Sequence, residues 1–222
     1  MDEITSLFDL NETIARDIFT GKSHPWEALP EITAFILALA ERLPEDYERI
    51  GDDIWAGKGA RIAPSASITG PAILGRGCEI RHCAFIRGSV ILGDGAIVGN
   101  STELKNAILF NGVQVPHFNY VGDSILGHKA HLGAGVILSN VRSDGAAVRT
   151  KLPDGATVTT GLRKFGAMVG DHAEVGCNSV INPGTVLGRG CTVYPLTMAR
   201  GYVPAGTILK NTGELVERKP KP

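Results

Sequence analysis

The residues best suited to chemistry gather in one stretch, PHFNYVGD, residues 116–123. His117 has a side chain whose ordinary pKa, about 6.5, lets it take up and release a proton near neutral pH. Fixed cations flank it along the chain: Arg87 and Lys105 stand eighteen residues apart, and Lys164 follows a long insertion. Cations of this kind hold phosphate oxygens through charge-assisted hydrogen bonds. The Gly133-Ala134-Gly135 run offers backbone N–H groups with little side chain around them, as a developing oxyanion requires. Together these supply the base, the anion clamp and the oxyanion donors that acyl transfer to an amine would need.

The surrounding sequence has to position those groups, and it is periodic. Ile62, Ile68, Leu74, Ile80, Ile86, Leu92, Val98, Leu104 and Phe110 recur at every sixth position. The beat resumes at Leu126, Leu132 and Leu138, and again from Val169 through Val175, Ile181, Leu187 and Val193. A period of six matches neither a helix nor simple strand alternation. It matches short strands and turns, three to a coil, with one aliphatic residue of each strand pointing into a shared core. Eighteen residues make one coil, so Arg87 and Lys105 stack on one face. From Phe110 to Leu126 is sixteen positions, so the coil must bulge or re-register there, turning His117, Phe118, Asn119 and Tyr120 outward.

Composition fits this reading. The 222 residues include 28 glycines and only 6% aromatics, which suits many tight turns joined by aliphatic strands. Twenty-two Lys and Arg stand against 23 Asp and Glu, which argues against a nucleic-acid or membrane surface built on bulk charge. The acidic start MDEITSLFDLNET lacks the basic region of a secretory signal. The four cysteines, without CxxC spacing, read as reduced thiols and mostly as small core residues. A cytoplasmic protein is expected. Residues 1–50 carry helical spacing at Ile14 and Ile18 and at Ile32, Phe35, Ile36 and Leu39, and form a helical cap over the open first coil, with Trp26 packed inside it. Residues 51–213 form the repeat domain and 214–222 a tail. Residues 141–166 leave the repeat as a projecting hairpin, with β-prone stretches at 147–151 and 156–160 around a Pro153-Asp154-Gly155 turn.

The repeat resembles the hexapeptide-repeat family, and that resemblance implies an all-β fold, a left-handed parallel β-helix. VGNSTELKNAIL, PHFNYVGDSILG, HLGAGVILSN and KFGAMVGD, in that order, resemble the acetyltransferase half of the bifunctional N-acetylglucosamine-1-phosphate uridyltransferase/glucosamine-1-phosphate acetyltransferases. The nucleotidyltransferase half has no counterpart here. The resemblance implies acetyl-CoA as co-substrate and an amino-sugar phosphate or nucleotide-linked amino sugar as acceptor. It makes His117 the general base and assigns Tyr120, Arg87, Lys105 and Lys164 to the sugar phosphate. Asn140 would orient the acceptor or the base. The sequence departs from the family at His131, Cys177 and Pro195, where the family has an asparagine that contacts substrate, a serine near the thioester and a small residue that binds the cofactor. Ala134 joins Cys177 and Pro195 as a cofactor contact. The resemblance also implies a homotrimer, without a metal.

Two other readings compete. A carbonic-anhydrase-like metal site could draw on His82, His117, His128 and His131, but the chain offers H-x2-H where that class has H-x4-H. Surface solvation is the expectation for His82, His128 and His172. A non-catalytic oligomerisation or regulatory β-helix would have no need of Arg87, Lys105, His117, Tyr120, Asn140 and Lys164 together.

Overall fold

The computed structural model describes residues 3–219. It is a parallel β-solenoid of three walls and fits the left-handed β-helix that the repeat implies. Each wall is a ladder of identical rungs. Ala56, Leu74, Leu92, Leu109, Leu126, Val169, Leu187 and Val203 stack down the first wall. The second wall stacks Ile62, Ile80, Val98 and Val115, then Leu132, Val175, Val193 and Leu209. The third stacks Ile68, Ile86, Leu104, Val121, Leu138, Ile181 and Ala199. From Leu74 onward nearly all of these side chains are fully buried, each contributing about 1.5–3 kcal/mol on burial.

The ladder re-registers, the second of the two expected alternatives, and it does so at the corners and not by a bulge at PHFNYV. Partners on successive coils are eighteen residues apart up to Phe85–Glu103, and seventeen apart from Val90–Ala107 through Tyr120–Ile137. Leu109, not Phe110, therefore carries the beat. The coil loses a residue twice, between Leu104 and Leu109 and between Val121 and Leu126, where the third wall turns into the first. There the strands Glu103–Leu109 and Tyr120–Leu126 run round the corner unbroken, with Asn106 and Asp123 at positive φ (49° and 47°). PHFNYV itself occupies an ordinary six-residue step. Phe118 is outward and 60% exposed, whereas Asn119 is buried, its amide donating to the Gly133 carbonyl at 2.7 Å.

The first wall is apolar on both sides. Ile73, Ile91, Ile108, Ile125, Met168 and Val186 point outward, yet all are buried, and strands covered on both faces read as unbroken apolar runs. The N-terminal segment covers them. Helix Ile32–Ala40 packs across the strands Ala72–Leu74, Val90–Leu92 and Glu103–Leu109. Upstream come a short helix, Glu3–Leu7, and 3-10 turns at Leu10–Glu12, Arg16–Phe19 and Pro25–Glu31. The segment is thus a flank cover and not a lid on the first coil. That coil is closed instead by strand Tyr47–Gly51 lying antiparallel on Ile54–Gly57. Phe110, released from the beat, meets Phe8 at 5.2 Å and Phe19 at 6.2 Å. Trp26 is buried between His24 and Phe165.

Asp171 pins the segment down. Its carboxylate accepts the N–H groups of Asp9 (2.7 Å) and His128 (2.8 Å) and pairs with Arg189 at 2.9 Å. Burial pushes its pKa above the ordinary carboxylate value, against the pull of those donors. His128 is consequently not solvated: it lies edge-on to His172, with Nδ1 3.3 Å from Glu12. At the other end, residues expected as tail include strand Leu215–Glu217, antiparallel to Thr207–Leu209; residues 220–222 lie outside the described range. Among the described residues, no helix is long and apolar enough to cross a membrane.

Candidate active site

The third wall brings the sequence-predicted residues to its two edges. At the corner from the second wall, one column holds His117, Ala134, Cys177 and Pro195 on successive coils. Gly135 N–H donates to the His117 carbonyl at 3.0 Å, Asn178 N–H to Ala134 at 2.8 Å and Leu196 N–H to Cys177 at 3.0 Å. The base and all three cofactor contacts inferred from the sequence therefore share one edge. Among the described residues the His117 ring makes no hydrogen bond, and it stands exposed. The expected oxyanion donors are mostly occupied: Gly133 N–H binds the Val175 carbonyl and Gly135 that of His117. On this column the N–H groups of Ala134 and Cys177 have no partner among the described residues. Gly133 has no room for a side chain, because a Cβ there would stand 2.7 Å from Cys177 N.

The opposite edge, toward the first wall, is a polar network centred on a residue to which sequence reasoning gave no role. Asp123 is 5% exposed. Its carboxylate accepts the Asn106 amide at 2.9 Å and the Asn140 amide at 2.5 Å, and lies 3.8 Å from Lys105 Nζ. Asn106 also donates to the Leu29 carbonyl at 3.2 Å, tying the network to the N-terminal segment. Asn106, Asp123 and Asn140 are spaced by seventeen, the length of the shortened coil, and that repeat was the available signal. Tyr120 joins through its hydroxyl, in hydrogen-bond contact with Asn140; burial first, then the Asp123 and Glu103 carboxylates, raise its pKa, so the phenol stays protonated. A Cβ on Gly122 would stand 2.5 Å from the Tyr120 hydroxyl and 2.8 Å from Asn140 Nδ2, so only glycine admits this meeting.

Arg87 and Lys105 occupy adjacent rungs on the outer face between the two edges, each beside a carboxylate. Arg87 donates to Glu103 at 2.7 Å, and Lys105 faces Asp123. Lys164 sits at the root of the hairpin, bridged to Val141, with Phe165 N–H on the Asn140 carbonyl at 2.9 Å. It therefore adjoins the Asp123 edge. His131 does not: it lies on the outer face of the second wall, paired with Gln114 and Glu174. Cys78 and Cys191 are buried, and Cys83 and Cys177 are exposed, so half of the thiols are not core residues. Among the described residues no three His, Cys, Asp or Glu side chains gather to hold a metal ion.

The fold is a hexapeptide-type β-helix, and residues 68–160 match the family described as the GMPPB C-terminal domain. The chain resembles the C-terminal half of bifunctional GlmU-type proteins. It is 34% identical over 113 residues to a bifunctional sugar-1-phosphate nucleotidylyltransferase/acetyltransferase of Sulfurisphaera tokodaii, covering 51% of this chain and 28% of that protein. It is 34% identical over 168 residues to the bifunctional protein GlmU of Methanococcus maripaludis, covering 74% of this chain and 40% of that protein. The chain thus spans well under half the length of these curated relatives. Among solved structures, a mutant of AntD, an N-acyltransferase from Bacillus cereus, in complex with dTDP-4-amino-4,6-dideoxyglucose and coenzyme A, aligns with a TM-score of 0.48. Identity to it is 17%, over 79% of this chain and 91% of that one.

Proposed function

We propose that the third wall carries an acetyl-CoA-dependent N-acetyltransferase site acting on an amino-sugar phosphate or a nucleotide-linked amino sugar. One observation carries the reading: a single edge gathers an unengaged histidine and two unengaged N–H groups, and the same wall carries two cations on its outer face and a protonated phenol and amides at its other edge. His117 takes the proton from the acceptor amine as nitrogen attacks the thioester carbon, and the thiolate leaves. The Ala134 and Cys177 N–H groups stand where donor carbonyls could be held. Arg87, Lys105 and Lys164 face the acceptor's phosphate, while Tyr120 and Asn140, fixed by Asp123, orient its sugar. The Sulfurisphaera tokodaii relative, named a sugar-1-phosphate nucleotidylyltransferase/acetyltransferase, supports this reading.

The two edges bound a single open face, so one wall does not enclose an acceptor. The wall's outer face also shows uncovered apolar side chains: Phe85 and Val180 are 40% exposed, Met198 68%, and Leu196 at its corner 72%. These side chains offer a surface for a second copy to cover, and the assembly proposed is a homotrimer. The free cysteines suit a reducing cytoplasm. A second reading, a non-catalytic β-helix, is favoured by the pairing of Arg87 and Lys105 with carboxylates. Mass-spectrometric detection of acetylated product from amino-sugar phosphates and UDP-amino sugars, together with acetyl-CoA calorimetry, separates the two. Turnover with any acceptor supports the enzyme; absence of both binding and product leaves the scaffold.

A further inference from the structure

The hairpin does not lean over Arg87. Its strands, Arg149–Lys151 and Thr157–Thr159, lie against the C-terminal coils, and between hairpin and wall is a cleft of about 840 Å³. Arg142, Arg149, Lys151 and Arg200 line it, with Ser139 and Asn182 from the third wall. Asp144 is the carboxylate on that lining, and Arg142 already holds it in a two-pronged contact. Arg149, Lys151 and Arg200 have no partner among the described residues. Four cations against one carboxylate leave a surplus of three positive charges, in a chain whose net charge is −1.

The cleft is built, not a loose loop above a surface. Thr150, between the two strand cations, is 2% exposed and donates its hydroxyl to the Gly184 carbonyl at 2.7 Å. Val148 is fully buried. With Thr150 turned to the Gly184 corner, strand alternation puts Arg149 and Lys151 together on the strand's other face, which lines the cleft. The Lys151 stem passes beside Gly201, 3.5 Å from where a Cβ would stand, next to Arg200. Ser139, Asn182 and Arg200 continue the outer row that begins with Arg87, Lys105 and Gly122. Four rungs separate Lys105 from Arg200, about 19 Å at about 4.8 Å per rung. One phosphate at Lys105 cannot also reach Arg200, and the cleft is far larger than one phosphate needs.

We propose that this cleft is a second anion site, which binds the diphosphate of a nucleotide-type ligand between Arg149, Lys151 and Arg200. Two sources share that chemistry: the nucleotide of a nucleotide-linked acceptor and the diphosphate end of coenzyme A. The choice between them rests on the acetyltransferase reading, whereas the binding does not. Calorimetry on the full chain with inorganic pyrophosphate, UDP and coenzyme A tests it, at low and at physiological salt. The double variant Arg149→Ala/Lys151→Ala and, separately, Arg200→Gln should weaken binding tenfold or more and flatten its salt dependence, with an unchanged melting temperature. Loss confined to UDP assigns the acceptor, and loss confined to coenzyme A assigns the donor. Absence of nucleotide binding to the native protein, or wild-type affinity in both variants, overturns the proposal. Because the readout is binding, this outcome is independent of whether His117→Ala abolishes turnover.

Discussion

The first and third walls share one inward ladder and differ in what lies outside it. Outside the first wall a row of Ile, Met and Val is sealed by the chain's own N-terminal segment. Outside the third wall Arg87 is exposed and Glu103, Lys105 and Tyr120 are half-buried, with exposed apolar residues beside them. Burial gives the first wall stability and no chemistry, whereas exposure leaves the third wall able to meet a ligand or a second copy. The solenoid core is indifferent to that choice; the outward residues make it.

The largest effects should separate the walls cleanly. Phe8→Ala removes a ring that is 1% exposed and packed on Phe110, at a cost of about 3–5 kcal/mol. Melting should fall by roughly 6–20 °C, while the kcat of the folded protein at low temperature stays near wild type. His117→Ala should do the reverse, with kcat reduced about 10²–10⁴-fold and melting unchanged. A His117→Ala protein that melts early, or turns over normally, breaks the comparison and removes His117 from the base role.

Next in size is Asp123→Ala, which belongs to both categories. It strips the buried Asn140 amide of its acceptor, at about 1–3 kcal/mol, and removes one of the two acceptors of the half-buried Asn106 amide. It should lower melting and also raise the acceptor KM, because Asn140 and Tyr120 lose their orientation. If only melting changes, the network is structural and the acceptor lies elsewhere on the wall.

Thiol chemistry sharpens the contrast without altering stability. Burial pushes the Cys78 and Cys191 thiols up to about 12, so alkylation of the native protein near pH 8 should label Cys83 and Cys177 alone. Acetyl-CoA should protect Cys177, on the donor edge, and leave Cys83 reactive. Equal protection or none would move the donor off that column.

How much of this was legible in the sequence follows from periodicity. The six-residue beat gave the solenoid, and one coil of eighteen put Arg87 beside Lys105. The shortened corners were invisible to a search for sixes, because Phe110 imitates the beat that Leu109 carries. Asp123 was hidden with them, since its role depends on a seventeen-residue spacing. The flank cover left a trace, the apolar triplets AIL, VIL, AIL and AMV at 72–74, 90–92, 107–109 and 167–169, which mark a wall buried on both sides. Nothing local could show that the hairpin leans toward Arg200, because that depends on Thr150 finding the Gly184 carbonyl.

The smallest expected effect probes the third wall most finely. Glu103 accepts from Arg87 across a half-exposed surface, with the two side chains 32% and 44% exposed. Such a pair adds little to stability, yet its carboxylate repels any phosphate that Arg87 and Lys105 would hold. Glu103→Gln keeps the shape and removes the charge. The acceptor KM should fall about two- to fivefold, with kcat and melting unchanged, and the gain should fade as salt screens charges more than about 8 Å apart. A rise in KM instead would mean that Glu103 itself contacts the acceptor, as a partner for its ammonium group, and that Arg87 serves to hold Glu103 in place.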